Sequence, residues 1–193
     1  VVNLLDFGGL SGSVSQYGIL TGPVASLFNI PIVLAMSISV SIVPAIASGM
    51  SGYDVVSVKS KTASSIKMCF MISMPFFIGA ILTSASITRL LYPTLSEAQK
   101  GLTAYLLSIM SINIVALSML EVLNAVLQGI GRLRPVLVNI AVGGLVKIIL
   151  ELIFVPKFGI AASGISTIAF YMIALVLNGA QYNTLVGKNI TLF

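Results

Sequence analysis

Two groups of polar side chains stand out against an otherwise apolar sequence. The first is Lys147 and Glu151, inside the run VNIAVGGLVKIILELIFVP. A charge at the middle of a bilayer costs roughly 2.5–3.5 kcal/mol on insertion scales, so such residues face protein or a watery cavity rather than lipid. Four positions apart on a helix, the two share one face and each offsets the other's charge. In one reading Lys147 attracts an anionic headgroup, such as a pyrophosphate, and Glu151 sets its position. In another the two form a structural ion pair, and a third pairs Lys147 with Glu121 across helices. The second group is Glu121, Asn124 and Gln128, which form one polar stripe at i, i+3 and i+7. Such a stripe is either the wall of a cavity for a polar or charged substrate, with Glu121 as a proton site, or a set of interhelical hydrogen bonds.

Other chemistries lack residues to carry them. The sequence has no His, a single Cys (Cys69) in an apolar run, no close pair of carboxylates and no Ser with a candidate base nearby. Zinc-type sites draw mainly on several Cys and His ligands, so the chain is expected to be neither an enzyme nor dependent on a metal or cofactor. A channel would need a filter-like re-entrant motif or charged rings, and neither is visible.

The elements that hold these residues follow from composition. Hydrophobic residues make up 58% of 193 residues, charged residues 8%, and mean hydropathy is +1.11. A water-soluble domain is about 25% charged, so a soluble globule is excluded. Runs such as LSIMSINIVALSML do not alternate as a membrane barrel would. About 20 apolar residues cross a bilayer. The predicted fold is therefore an all-α, polytopic transmembrane bundle with five spans at about 17–49, 65–92, 102–128, 135–155 and 160–182. Residues 1–16 read as an extracytoplasmic loop and 50–63 as a polar loop. Pro23, Pro31, Pro44 and Pro75 are expected to kink or break their helices. Asn29, at membrane depth, is expected to face protein. Gly143-Gly144 suits a close helix contact.

The net charge of +5 does not point to nucleic acid, because the basic residues gather in loops on one side of the membrane. One side holds Lys59, Lys61, Lys67, Arg132, Arg134 and Lys188; the other holds Arg89, Lys100 and Lys157. The positive-inside rule places the Lys59 loop, the Arg132 turn and the C-terminal tail in the cytoplasm of a multi-pass cell-membrane protein, with membrane lipids as partners. Arg132 and Arg134 either fix this topology or meet anionic headgroups.

Two long stretches carry a resemblance: YGILTGPVASLFNIPIVLAMSISVSIVPAIASG from Tyr17, and LQGIGRLRPVLVNIAVGGLVKIILELIFVPKFGIAASGISTIAFYMIALVLN from Leu127. The sequence resembles the polysaccharide-flippase branch of the MATE-like (MOP) exporter superfamily, in particular the stage V sporulation protein B type, which is related to the MurJ lipid II flippases. Such proteins have about fourteen helices, twelve of them in two lobes around a central cavity, a case of the repeated halves common among transporters. The resemblance implies that this chain, which lacks an initiator Met, is a piece of the C-terminal lobe, partnered by a missing N-terminal lobe. It implies alternating-access export of a lipid-linked oligosaccharide or peptidoglycan precursor of the undecaprenyl-pyrophosphate type, for cell-wall or other polysaccharide biosynthesis. Lys147 matches the family's basic residue in its helix. The first span carries no Arg, although MurJ-type cavities use arginines, several of them from the N-terminal lobe. Two rivals stay open: a MATE-type multidrug or cation antiporter, with Glu121 binding a proton, sodium ion or cationic drug, and a non-transporting scaffold for a glycan synthase.

Overall fold

The computed structural model describes residues 17–187. The expected 1–16 loop and Lys188 lie outside the described residues. Within them the chain forms six helices and no strand: α1 (Tyr17–Ser51), α2 (Val55–Leu91), α3 (Glu97–Met110), α4 (Ile112–Gly129), α5 (Leu133–Phe158) and α6 (Ile160–Gly187). All except α3 are long and apolar enough to cross a membrane.

The centre of the bundle is α4. It is the least apolar of the five, yet 61% of its span is buried, against 17–33% for the others. In lipid the outside is as apolar as a core, so small and polar side chains, not the greasiest ones, mark the inward helix. α4 packs against α1, α2, α5 and α6, and α5 and α6 form a close hairpin. One apolar cluster joins the start of α1 (Val24, Phe28) to Leu106 and Leu107 of α3 and Ile160 of α6. A second joins Ala35, Ile42 and Ile46 of α1 to Val58 and Cys69 of α2 and to Val122 and Val126 of α4.

Several helix ends and breaks differ from the sequence expectation. The stretch 50–63 is not a loop: only a short turn around Tyr53 separates α1 from α2. Asp54 caps α2, its carboxylate accepting the Ser57 N–H at 2.9 Å. Val58 and Thr62 then pack inward, Lys59 and Lys67 point outward, and Lys61 reaches across to the Ala45 carbonyl of α1. The prolines do not break α1 or α2; only Gly22-Pro23 leaves a mark, a single π-turn over Leu20–Val24. Inside a membrane bundle, local π adjustment re-satisfies the backbone groups that a proline frees. Asn29 lies on the exposed face of α1 beside Ile30, opposite the packed face of Phe28 and Pro31.

The third apolar stretch begins at Glu97, behind a capping box between Ser96 and Gln99. Glu97 pairs with Lys100 at 3.0 Å, and this hydrogen bond holds its carboxyl below the usual range. The helix is then interrupted at Ser111, whose hydroxyl donates to the Ser108 carbonyl at 2.7 Å. Serine back-bonding of this kind bends helices.

The turns after α1 and α4 share one construction. Arg132 N–H reaches Leu127 O and Gly131 N–H reaches Gln128 O, both at 2.9 Å, with Gly131 at φ 82°. This is a Schellman closure, which needs a left-handed residue just after the helix. At the other turn Asp54 N–H reaches Gly49 O and Tyr53 N–H reaches Met50 O, with Tyr53 itself at φ 56°. Both turns lie at the same end of the bundle, which is also the end carrying Lys59, Lys61, Arg132 and Arg134.

Candidate functional site

The stripe anticipated on α4 is one surface. Glu121, Asn124 and Gln128 line a single groove of about 110 Å³, closed on its other side by Met36, Ser39, Val40 and Val43 of α1. The i, i+3, i+7 spacing turns the three side chains to one face, and the crossing of α1 over α4 walls that face. Glu121 and Asn124 are partly buried, and Gln128 is exposed near the turn to α5. Glu121 has no ion-pair partner among the described residues. The groove therefore offers one carboxylate and two amides.

Asn124 also has a structural role. Its Oδ1 accepts from Asn178 Nδ2 of α6 at 2.6 Å, and Asn178 Oδ1 accepts from Asn139 Nδ2 of α5 at 2.7 Å. Asn178 and Asn139 are buried. This relay ties α4, α6 and α5 together at one level and leaves the Asn124 amide N–H groups for the groove. Sequence reasoning missed Asn139 and Asn178. The available signal was a carboxamide inside an apolar run, as in FYMIALVLNGA. An Asn178→Leu substitution removes both bonds and leaves Asn139 Nδ2 without its acceptor. Interhelical hydrogen bonds in membranes average ~0.6 and reach ~1.7 kcal/mol each, so thermal unfolding in detergent is expected to show a loss of about 1–3 kcal/mol. An unchanged midpoint would mean that the relay does not hold the hairpin.

Lys147 and Glu151 do sit together. Lys147 Nζ lies 3.8 Å from Glu151 Oε1, and both side chains are about one-third exposed, at 34% and 32%. The alternative pairing of Lys147 with Glu121 does not form. Asn139 shares its level with Asn124, so at 1.5 Å per residue Lys147 stands roughly 8 Å further along the bundle than Glu121. The two partners are held very differently. Glu151 Oε1 accepts from the Ser163 hydroxyl at 2.9 Å and shares the single proton of the Ser166 hydroxyl, 3.1 Å away, with the Ser163 carbonyl at 3.0 Å; both serines are on α6. Lys147 makes no hydrogen bond among the described residues. Two serines thus fix the carboxylate, and the ammonium is left with a distant counter-charge and open donors. Ser163 and Ser166 were not anticipated from the sequence.

The two central glycines of α5 separate. A Cβ on Gly143 would come within 2.9 Å of the Phe170 ring, whereas Gly144 has nothing within 4 Å. Gly143 is the close contact with α6, and Gly144 faces open space. Among the described residues no group of three or more His, Cys, Asp or Glu side chains could hold a metal ion.

Comparison with known proteins adds the following. A family model described as lipid II flippase MurJ matches residues 25–183. The uncharacterized membrane protein YabM of Bacillus subtilis (strain 168) is 27% identical over 190 residues, covering 91% of this chain and 35% of the relative. The chain thus spans well under half of that relative's length. No solved structure matches.

Proposed function

The chain belongs to the MurJ lipid II flippase family, and from that premise we propose that it is part of a cell-membrane exporter that moves an undecaprenyl-pyrophosphate-linked glycan by alternating access. The observation that carries this reading is the unequal Lys147–Glu151 pair. Glu151 is held by Ser163 and Ser166 and leaves Lys147 with free donors at membrane depth. An ammonium with free donors suits a diphosphate, since hydrogen bonds to charged groups are worth roughly twice neutral ones.

In this reading Glu121, Asn124 and Gln128 form a second, polar wall. Carboxylate and amide groups match sugar hydroxyls, which both donate and accept. The exposed α1 face with Asn29 and the mouth of the α1–α4 groove look toward a further lobe of the protein. Rocking of the lobes would open the cavity first on the side of the Arg132 turn, taken as cytoplasmic from its charge, and then on the far side.

A second reading rests on Glu121. A carboxylate in a groove without a basic partner is also what a proton- or cation-coupled antiporter needs. One experiment separates the two. The full-length protein is reconstituted in vesicles with a fluorescent undecaprenyl-pyrophosphate-linked sugar on the inner leaflet, and its arrival outside is read by a membrane-impermeant quencher. Quenching well above protein-free vesicles is the expected result. No excess quenching, together with efflux of a fluorescent organic cation, would replace the flippase reading with the antiporter.

A further inference from the structure

A second polar groove lies apart from all of these residues. It is an open groove of about 550 Å³ between α1 and α2 behind their shared turn, with apolar side chains among its polar ones. From α2 it receives Ser60, Lys61, Ser64 and Ser65. Lys61 leans across and donates to Ala45 O of α1 at 3.2 Å, which fixes its ammonium over the groove with two N–H donors to spare. The hydroxyls of Ser60, Ser64 and Ser65 make no hydrogen bond among the described residues. By contrast, Ser37 and Ser41 on the α1 wall are already donating to carbonyls of their own helix. No carboxylate lines the groove. Asp54, two turns before Lys61, is used in capping α2.

Polarity changes along the length of this groove. On α2, Lys61 and Ser60 lie nearest the turn, Ser64 and Ser65 one helical turn deeper and Met68 deepest, while the α1 wall mixes Ile38 and Ile42 with Ser37 and Ser41, whose hydroxyls are taken up by their own helix. From Lys61 to Met68 is seven residues, about 10 Å of helix. Along α2 from the turn, a cation, then hydroxyls, then an apolar side chain is the order in which a phospholipid presents phosphate, ester region and hydrocarbon chain.

We propose that this groove is a binding site for one anionic phospholipid of the adjoining leaflet, with its phosphate on Lys61 and the Ser60, Ser64 and Ser65 hydroxyls and a chain along Ile38 and Met68. The site rests on the membrane-spanning fold alone and not on the flippase reading. Lys59 and Lys67 flank it on the exposed face of α2 without lining it, which supplies an internal control.

The test is native mass spectrometry of the purified full-length protein with phosphatidylglycerol. Lys61→Gln is expected to lower lipid retention about fivefold, the effect of one lysine near an anionic headgroup, whereas Lys59→Gln leaves it near wild type. A Ser64→Ala, Ser65→Ala double variant, which keeps every charge, is expected to lose retention as well. Equal losses for Lys61→Gln and Lys59→Gln would replace the site by diffuse attraction to the basic end and overturn the proposal. Wild-type retention in Lys61→Gln would also overturn it. So would displacement of the lipid by millimolar inorganic phosphate, which would make a soluble anion the ligand. Unfolding midpoints of the variants identify any that lose lipid by misfolding, and lipid retention by folded Lys61→Gln then decides.

Discussion

Replacing Lys147 with alanine is expected to lower glycolipid translocation by roughly tenfold to a hundredfold while leaving the bundle folded. The size follows from a hydrogen bond to a charged group, worth about 1.5–3 kcal/mol. The retention of fold follows from the geometry around Glu151. Removing one partner of an ion pair usually leaves the other uncompensated, and that is what makes such substitutions destructive. Here Glu151 Oε1 keeps its two serine donors when the ammonium is gone, and at 3.8 Å the lost contact is a weak one. Lys147→Arg, which keeps the charge and adds donors, is expected to retain most of the activity. The translocation assay and an unfolding curve on the same preparations check both halves. Full translocation by Lys147→Ala would remove Lys147 from the substrate path. A variant that fails to fold would show instead that the pair is structural. Glu151→Gln adds a further constraint: its amide oxygen can still accept from Ser163 and Ser166, so it should fold and retain more activity than Lys147→Ala.

How much of this was legible in the sequence differs by level. The all-α membrane class follows from composition and from runs that exceed a bilayer's thickness, and no packing detail is needed for it. Helix ends are harder, because they answer to local bonds and distant contacts together. α2 begins at Val55 because Asp54 can cap it and because Val58 fits against Gly49, where a Cβ would come within 2.8 Å of the Val58 side chain. Hydropathy sees only a polar stretch there. The prolines mislead in the opposite sense, since sequence rules drawn from water exaggerate what a proline does inside a membrane helix. For the site, the spacing of Glu121, Asn124 and Gln128 sufficed to put them on one face, but nothing in it named α1 as the opposite wall. The partners of Glu151 lie just across the Gly159 turn, at Ser163 and Ser166. A hairpin register could have suggested them, yet serines are frequent here and several donate only to their own helix. The Asn124–Asn178–Asn139 relay bridges 54 residues of sequence between its first two members, a distance over which only the folded bundle gives information.

Gly129→Ala is expected to be among the most damaging single-methyl changes in the bundle, at about 1–3 kcal/mol of stability, the usual range for overpacking a close contact. A Cβ built at Gly129 would lie 2.8 Å from Ile46 Cβ, 2.9 Å from Ile46 Cγ2 and 2.9 Å from Val43 O. Two of these atoms are part of a side chain that is itself buried without freedom to swing, and the third is backbone. Relief therefore requires α1 and α4 to separate. Val43 also lines the groove of Glu121, Asn124 and Gln128, so the same separation deforms the candidate site. Stability and translocation should fall together, unlike the Lys147→Ala result, where translocation alone falls. Gly144→Ala is the matched control. Its Cβ meets nothing within 4 Å, and alanine is favoured over glycine inside a helix by up to about 1 kcal/mol, so its unfolding midpoint should equal or exceed wild type. Gly143→Ala, against the Phe170 ring at 2.9 Å and the Phe170 carbonyl at 3.2 Å, should fall between the two, since a ring can tilt where a backbone oxygen cannot. Unfolding midpoints ranked in that order would establish the α1–α4 crossing as the tightest joint of the bundle. A Gly129→Ala midpoint level with that of Gly144→Ala would mean that the two helices do not approach as closely as their contact at Val43 requires.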